Sequence, residues 1–174
     1  MSELLRADDL ETIKKYSDAV YRMAYSLVKN KYDADDIHQE VFAIYIVKKP
    51  KFENAAHEKA WFMRVTVNLC KNLYKTAWRR KVVSLGDGFE ETADEAKDVE
   101  VVETVETAET VEDYGIIEVV KKLPFKYRSV IHLFYYEELS VKEIANILKI
   151  KPSTVRTHLT RARTKLKELL ENSN

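Results

Sequence analysis

Residues 100–113 read EVVETVETAETVED, with a glutamate at every third position from Glu100 to Glu112. A helix repeats at 3.6 residues and a strand at 2, so a strict period of three gives neither element a continuous apolar face, while the like charges repel one another. Such a stretch adds nothing to a core, and the rest of the chain must be organised around it. Gly86, Gly88 and a run of acids precede it, which extends the break over residues 86–113. An extended linker is the preferred reading, and an exposed acidic helix is the alternative.

Charge follows the same division. The formal net charge is zero, yet residues 1–85 carry 16 basic and 11 acidic side chains, residues 86–118 carry 1 and 13, and residues 119–174 carry 12 and 5. Two basic blocks therefore flank an acidic strip, the pattern of a chain with a polyanionic partner. With 45% apolar content over 174 residues, each block is able to bury a small core of its own. The single cysteine, Cys70, excludes a disulfide framework, and no CxxC or HxxxH spacing marks a zinc site. The start, MSELLRADDLE, lacks the apolar core of a signal peptide, and the longest apolar run, residues 41–47, is too short to span a bilayer. A cytoplasmic protein without metal or membrane insertion is expected.

The first block reads as helices throughout. Leu10, Ile13, Tyr16, Val20, Ala24 and Leu27 make one amphipathic segment, and Ile37, Val41 and Ile44 with Phe42 and Tyr45 make another, with Asp33 as its expected N-cap and Asp35 and Asp36 in its first turn. After a break at residues 50–58, a helix over 59–80 places Phe62, Val65, Leu69 and Leu73 on its core face. Arg64, Asn68, Lys71, Asn72, Lys75 and Arg79 lie on the other. From Lys59 to Gly86 there are seven basic residues and no acid, with Trp61, Tyr74 and Trp78 interleaved. Cations hold phosphates, asparagine reads base edges and aromatic rings stack on unpaired bases, so this face suits partly single-stranded DNA. The plainer reading is a solvated basic face whose aromatics merely pack.

The second block has a sharper grammar. Pro124 opens a helix near its first position, with Tyr127, Val130, Ile131 and Phe134 inward. Ser140 and Glu143 form an S-x-x-E capping box, and Leu139 is placed to staple onto Ile144, so a short helix begins at residue 141 and ends at Leu148. A turn over 149–152 leads to KPSTVRTHLTRARTKL, where Ser153 is the expected N-cap and Val155, Leu159, Ala162 and Leu166 form the apolar stripe. Its outer face carries Arg156, Thr157, Thr160, Arg161 and Thr164. Two helices joined by a brief turn, the second basic outside, make a helix-turn-helix that presents its second helix to a major groove.

Three segments together resemble the sigma-70 family of bacterial RNA polymerase sigma factors, in its small extracytoplasmic-function (ECF) group. DADDIHQEVF is similar to the region 2.2 signature and AWFMRVTVNLCKNLYKTAWRR to regions 2.3 and 2.4. LPFKYRSVIHLFYYEELSVKEIANILKIKPSTVRTHLTRARTKL is similar to regions 4.1 and 4.2. The resemblance implies an all-α chain of two small helical domains, region 2 over 1–85 and region 4 over 114–174, joined by the acidic linker 86–113. It implies a subunit without catalysis or cofactor of its own, a monomer when free, that directs core polymerase to promoters and helps melt them.

Carried over by position, Asp33, Asp36, Gln39 and Glu40 would dock on the beta-prime clamp helices, and region 4 on the beta flap. Asn68 and Asn72 would read the minus-10 element, with Arg64, Lys71, Lys75, Arg79 and Arg80 on its strands. The loop bearing Phe52, Asn54 and His57 would pocket a flipped base, whose unstacking costs a few kcal/mol. Ser153, Thr154, Arg156, Thr157, His158, Thr160, Arg161 and Arg163 would approach the minus-35 element, Arg156 and Arg161 foremost. An anti-sigma partner is expected from the family, and the acidic linker would thread the polymerase channel that later holds RNA. His158 stands where many members have arginine, Lys149 replaces a common turn glycine, and Ser153 another before Thr154. Promoter sequence therefore does not transfer. A stand-alone helix-turn-helix regulator, or a hydrolase using Asp33, Asp35, Asp36, His38 and Glu40, are the competing classes, though residues 35, 36 and 38 fan around a helix.

Overall fold

The computed structural model describes residues 5–85 and 118–172, and every regular element among them is helical. The acidic strip at 86–113 lies outside the described residues. We label the helices α1 (Ala7–Val28), α2 (Lys31–Lys48), α3 (Ala55–Leu85), α4 (Phe125–Ile131, running on into a π-helical turn, His132–Tyr136), α5 (Val141–Leu148) and α6 (Pro152–Asn172).

In the N-terminal unit α1, α2 and α3 pack on one another. Asp9 closes the first turn of α1 by accepting from the Arg6 amide at 2.9 Å, and it also receives the Tyr45 hydroxyl of α2 at 3.3 Å. The expected stripe is buried from Tyr16 to Leu27, whereas Leu10, in the first turn of α1, is half exposed. The N-cap of α2 is Asn30, not Asp33: the Asn30 side chain accepts from the Asp33 amide at 2.8 Å, which puts Asp33 at the third helical position. A capping amide wins here since the helix starts three residues earlier than the aspartates suggested.

α3 also starts earlier than expected, with Asn54 accepting from the His57 amide at 2.9 Å. Its buried residues are Phe62, Met63, Thr66, Val67 and Cys70, while Val65, Leu69 and Leu73 are only half-buried. Thr66 joins the core because its hydroxyl is satisfied by the Phe62 carbonyl at 2.6 Å, leaving a methyl to pack. That rotates the buried stripe away from the one read from apolar residues alone.

In the C-terminal unit α4, α5 and α6 pack together. The capping box on α5 is present, with the Glu143 amide donating to Ser140 Oγ and the Ser140 amide to Glu143 Oε1, both at 3.1 Å. Leu139 and Ile144 are both buried. α6 starts at Pro152, one residue before the expected cap, so Ser153 lies inside the first turn; proline at the first position loses no amide the helix needs. The helix ends at Lys29, Lys49 and Lys149 all have positive φ (66°, 44° and 56°), a conformation usually left to glycine, of which the chain has three. A lysine there brings positive charge to the negative end of the helix dipole.

The two units are packed against each other, and their buried side chains form one contiguous apolar cluster. α4 meets α1, and α5 meets α3.

Candidate nucleic-acid interface

α6 buries Val155, Leu159 and Ala162 and so turns Ser153, Arg156, Thr157, Thr160, Arg161 and Thr164 outward, all exposed. The hydroxyls of Thr157, Thr160 and Thr164 donate to the carbonyls four residues back at 3.0–3.1 Å. Their lone pairs stay available as acceptors beside the arginines. Three residues assigned to this face depart from it. Arg163 Nε donates to the Tyr135 hydroxyl at 2.6 Å, and its guanidinium lies 5.6 Å from the Phe134 and Tyr135 rings, which ties it to the π turn. His158 is half-buried with its ring edge 5.6 Å from that of Tyr127, and Thr154 is half-buried as well. The period of the helix puts both at the border of the buried stripe.

On α3 the residues Asn68, Lys71, Asn72 and Lys75 form an exposed row. For Arg79 and Arg80 the described structure stops at the backbone. Lys59, Trp61, Arg64 and Tyr74 of the acid-free run are engaged within the molecule. Trp61 is half-buried, with rings of Tyr45, Phe52 and Phe62 at 5.0–6.1 Å, and Tyr74 lies 5.7 Å from Phe125 of α4. These two aromatics pack rather than waiting for bases. Phe52 belongs to the same cluster, Asn54 is used as a helix cap, and His57 is exposed beside Glu53 at 3.6 Å. Arg64 Nη2 donates to the Asn146 carbonyl on α5 at 3.3 Å, and Lys59 Nζ donates to the Glu137 carbonyl at 2.8 Å.

On α2, Asp36, Gln39 and Glu40 share one exposed face, while Asp33 is half-buried against Asn30. Tyr32 and Val47, exposed by 71% and 78%, lie at the two ends of that face. Sequence reasoning passed over both, though their spacing from Asp36 and Glu40 was the signal. His38 pairs with Ser17 at 2.9 Å, so the α2 carboxylates and His38 do not converge as a hydrolase would require.

The described faces correspond to two family models: sigma-70 region 2 matches residues 12–80 and sigma-70 region 4 matches residues 115–166. The ECF RNA polymerase sigma factor SigW of Bacillus subtilis is 30% identical over 90% of this chain and 86% of its own length. The chain belongs to the sigma-70 family. It is an ECF-type RNA polymerase sigma factor, which binds core polymerase and promoter DNA in transcription initiation. The ECF sigma factor SigE of Mycolicibacterium smegmatis is 28% identical over 92% of this sigma factor, which spans 60% of that relative's length. The fold is shared with the sigma factor RpoE, solved in complex with the anti-sigma factor NepR from Bartonella quintana (TM-score 0.76, 21% identity, 95% of this chain and 98% of that one). Among the described residues no helix is long and apolar enough to cross a membrane.

Two charged groups are buried that the sequence reading did not single out. Arg128 is wholly buried and donates through Nη2 to the Leu27 carbonyl at 2.8 Å and through Nη1 to the Leu123 carbonyl. Glu137, its side chain 2% exposed, receives His132 Nε2 at 3.2 Å, Arg22 at 3.4 Å and Lys59 at 3.6 Å. Burial alone would raise the Glu137 carboxyl, but the His132 hydrogen bond and the charges of Arg22 and Lys59 outweigh it and hold the group below the ordinary value. Burial pushes His132 below the usual imidazole range, against the pull of Glu137. Burial thus favours the neutral imidazole, and the buried Nδ1 of His132 has no hydrogen-bond partner among the described residues. The signal for Arg128 was legible as a cation on an otherwise apolar face, three residues before Ile131.

Proposed function

We propose that this sigma factor divides its work among three faces. α6 reads the minus-35 element through Arg156 and Arg161, with Ser153, Thr157 and Thr160 on neighbouring edges and phosphates. α3 reads the minus-10 element through Asn68 and Asn72 while Lys71 and Lys75 hold its backbone. α2 docks on the beta-prime clamp helices through Asp36, Gln39 and Glu40, with Tyr32 and Val47 adding apolar contact at the rim. The observation that carries this is the separation of the exposed rows: no acidic residue interrupts the α3 or α6 row, and no lysine or arginine lies between Asp36 and Glu40 on α2. Complementary charge of this kind guides docking and register more than it adds affinity.

Arg163, Thr154 and His158 act as supports of α6 in this reading, and Asp33 supports the start of α2. Phe52, Asn54 and His57 stay the proposed rim of the flipped-base pocket, with Phe52 as its floor. Arg79 and Arg80 continue the cationic track. The units run over 1–85 and 114–174, with 86–113 as a tether, and the matched ranges 12–80 and 115–166 support those limits. The chain has no catalysis of its own and works in the cytoplasm. An anti-sigma factor is its regulatory partner, as one is for RpoE in its solved complex, and the beta flap meets region 4.

Reconstitution with core polymerase on a promoter library, with start sites mapped, tests the whole reading. Arg156→Ala and Arg161→Ala should relax the upstream sequence preference, and Asn68→Ala with Asn72→Ala the downstream one. Start sites that do not respond to either pair would sink the assignment.

A further inference from the structure

The seam between the two units holds an ionisable cluster that the nucleic-acid and polymerase faces do not use. Glu137, at the end of the π turn, pairs with His132 Nε2 at 3.2 Å on its own unit and faces Arg22 of α1 at 3.4 Å and Lys59 of α3 at 3.6 Å on the other. The π turn makes this possible: its wide loop, closed by the Glu137 amide on the His132 carbonyl at 3.2 Å, folds the two side chains onto each other. His132 is enclosed almost completely, its ring stacked on Tyr136 with centroids 5.1 Å apart, whereas Arg22 is half exposed. Charged groups on the other elements packed around the turn point elsewhere. Arg163 of α6 lies on the Phe134 and Tyr135 rings, Lys142 and Glu143 of α5 are exposed, and so is Glu138.

With His132 neutral, one carboxylate serves two cations. A proton on His132 makes three cations around one carboxylate in a site shut off from water, where like charges repel most strongly. The added N–H falls on the buried Nδ1, which has no hydrogen-bond partner among the described residues, so it stays unmet until water reaches it. His132 and Glu137 share one turn and cannot separate. Arg22 and Lys59 belong to the other unit, so the repulsion is relieved by parting the units.

We propose that His132 makes the seam acid-sensitive: its protonation loosens the packing of the C-terminal unit on α1 and α3, with no ligand or partner required. The direction follows from what each form does to the imidazole. In the packed form burial and Arg22 hold His132 below its ordinary 6.5, against the pull of Glu137. Parting the units admits water and withdraws Arg22 while Glu137 stays, so the parted form binds the proton more tightly. The packed form is therefore favoured above pH 6.5 and loses ground as pH falls through that value. For one linked proton the packed-to-parted ratio drops by up to roughly tenfold per pH unit. None of this depends on which promoter element any helix reads.

The test uses the full chain with donor and acceptor dyes on Val47→Cys of α2 and Glu168→Cys of α6, both exposed sites; Cys70 is buried. Energy transfer and the helical circular dichroism signal are followed from pH 7.5 to 5.5. Transfer in the parent should fall with a several-fold loss of the packed form, while the helical signal holds. His132→Gln and His132→Phe, which cannot take up the proton, should remove most of that fall. His38, His57 and His158 remain in both variants, so the difference belongs to residue 132. If neither variant keeps the parent's helical signal, the ring resonances of His132 in the parent decide: their midpoint should coincide with that of the transfer. Constant transfer in the parent, or helical signal lost together with the transfer, overturns the proposal. So does a folded His132 variant that keeps the full fall, or a His132 ring that titrates apart from it.

Discussion

α3 and α6 look alike in the sequence: each is a helix with a basic outer face, and α3 has the more cations. In the folded chain they differ. The α6 face is open, with Arg156 and Arg161 exposed, whereas Lys59 and Arg64 of α3 are spent on Glu137 and on a carbonyl of α5, and Trp61 and Tyr74 are packed. A count of cations therefore says how much positive charge a helix carries and not how much of it meets a ligand. Availability depends on what the rest of the fold brings to that face.

The sharpest way to break the comparison is to remove a buried cation and an exposed one side by side. Arg128→Ala leaves two carbonyls unmet and a cavity, and with roughly 1.5–3 kcal/mol for each charged hydrogen bond it should cost about 3–5 kcal/mol of unfolding free energy in a urea titration. Arg161→Ala, on the exposed face, should change stability by less than about 0.5 kcal/mol. Its effect falls on DNA instead: a base-reading arginine is worth about 1–3 kcal/mol of discrimination, seen as relaxed preference at one promoter position in holoenzyme binding. Lys71→Ala on α3 should weaken binding evenly across sequences and lower the salt slope by about 1. Equal loss of sequence preference from Lys71→Ala and Arg161→Ala would erase the distinction drawn here.

Acid sharpens the contrast further. His132 has a lowered pKa in the fold, so as pH falls through its ordinary value of 6.5 the unfolded chain takes up a proton that the folded chain does not, and stability drops. Glu137 is lowered as well, so the stability it contributes is present above its ordinary 4.5 and is lost as pH falls below that. Both act in the same direction, and thermal melts from pH 7.5 down to 3 should show a decline whose part below pH 4.5 is smaller in Glu137→Gln. Cys70, buried and pushed up to about 12, should resist thiol reagents at pH 8 until the chain unfolds, so its labelling rate tracks opening of the N-terminal core. One expected change is a gain: Lys149→Gly relieves a left-handed residue in the helix-turn-helix turn and should raise stability by up to about 1 kcal/mol in the same urea titration.

The helix set and the capping box of the helix-turn-helix were legible in the sequence, since they depend on neighbours within a turn or two. So was the α6 stripe of Val155, Leu159 and Ala162. Local caps were less secure: asparagine, aspartate and serine at adjacent positions compete for one amide, and which wins depends on where the helix is allowed to start. Asn30 displaced Asp33, and Pro152 made the position of Ser153 internal.

What the sequence by itself determined is the distribution of apolar residues and charge along the chain, and with it a helical protein in two basic units. What only the tertiary structure decided is the fate of individual charges. Glu137 meets Lys59 across 78 residues and Arg22 across 115, and Arg128 meets Leu27 across 101. Nothing in the local period encodes such a meeting, because an ion pair depends on a distance of a few ångströms in space, and that distance is set by the packing of whole helices.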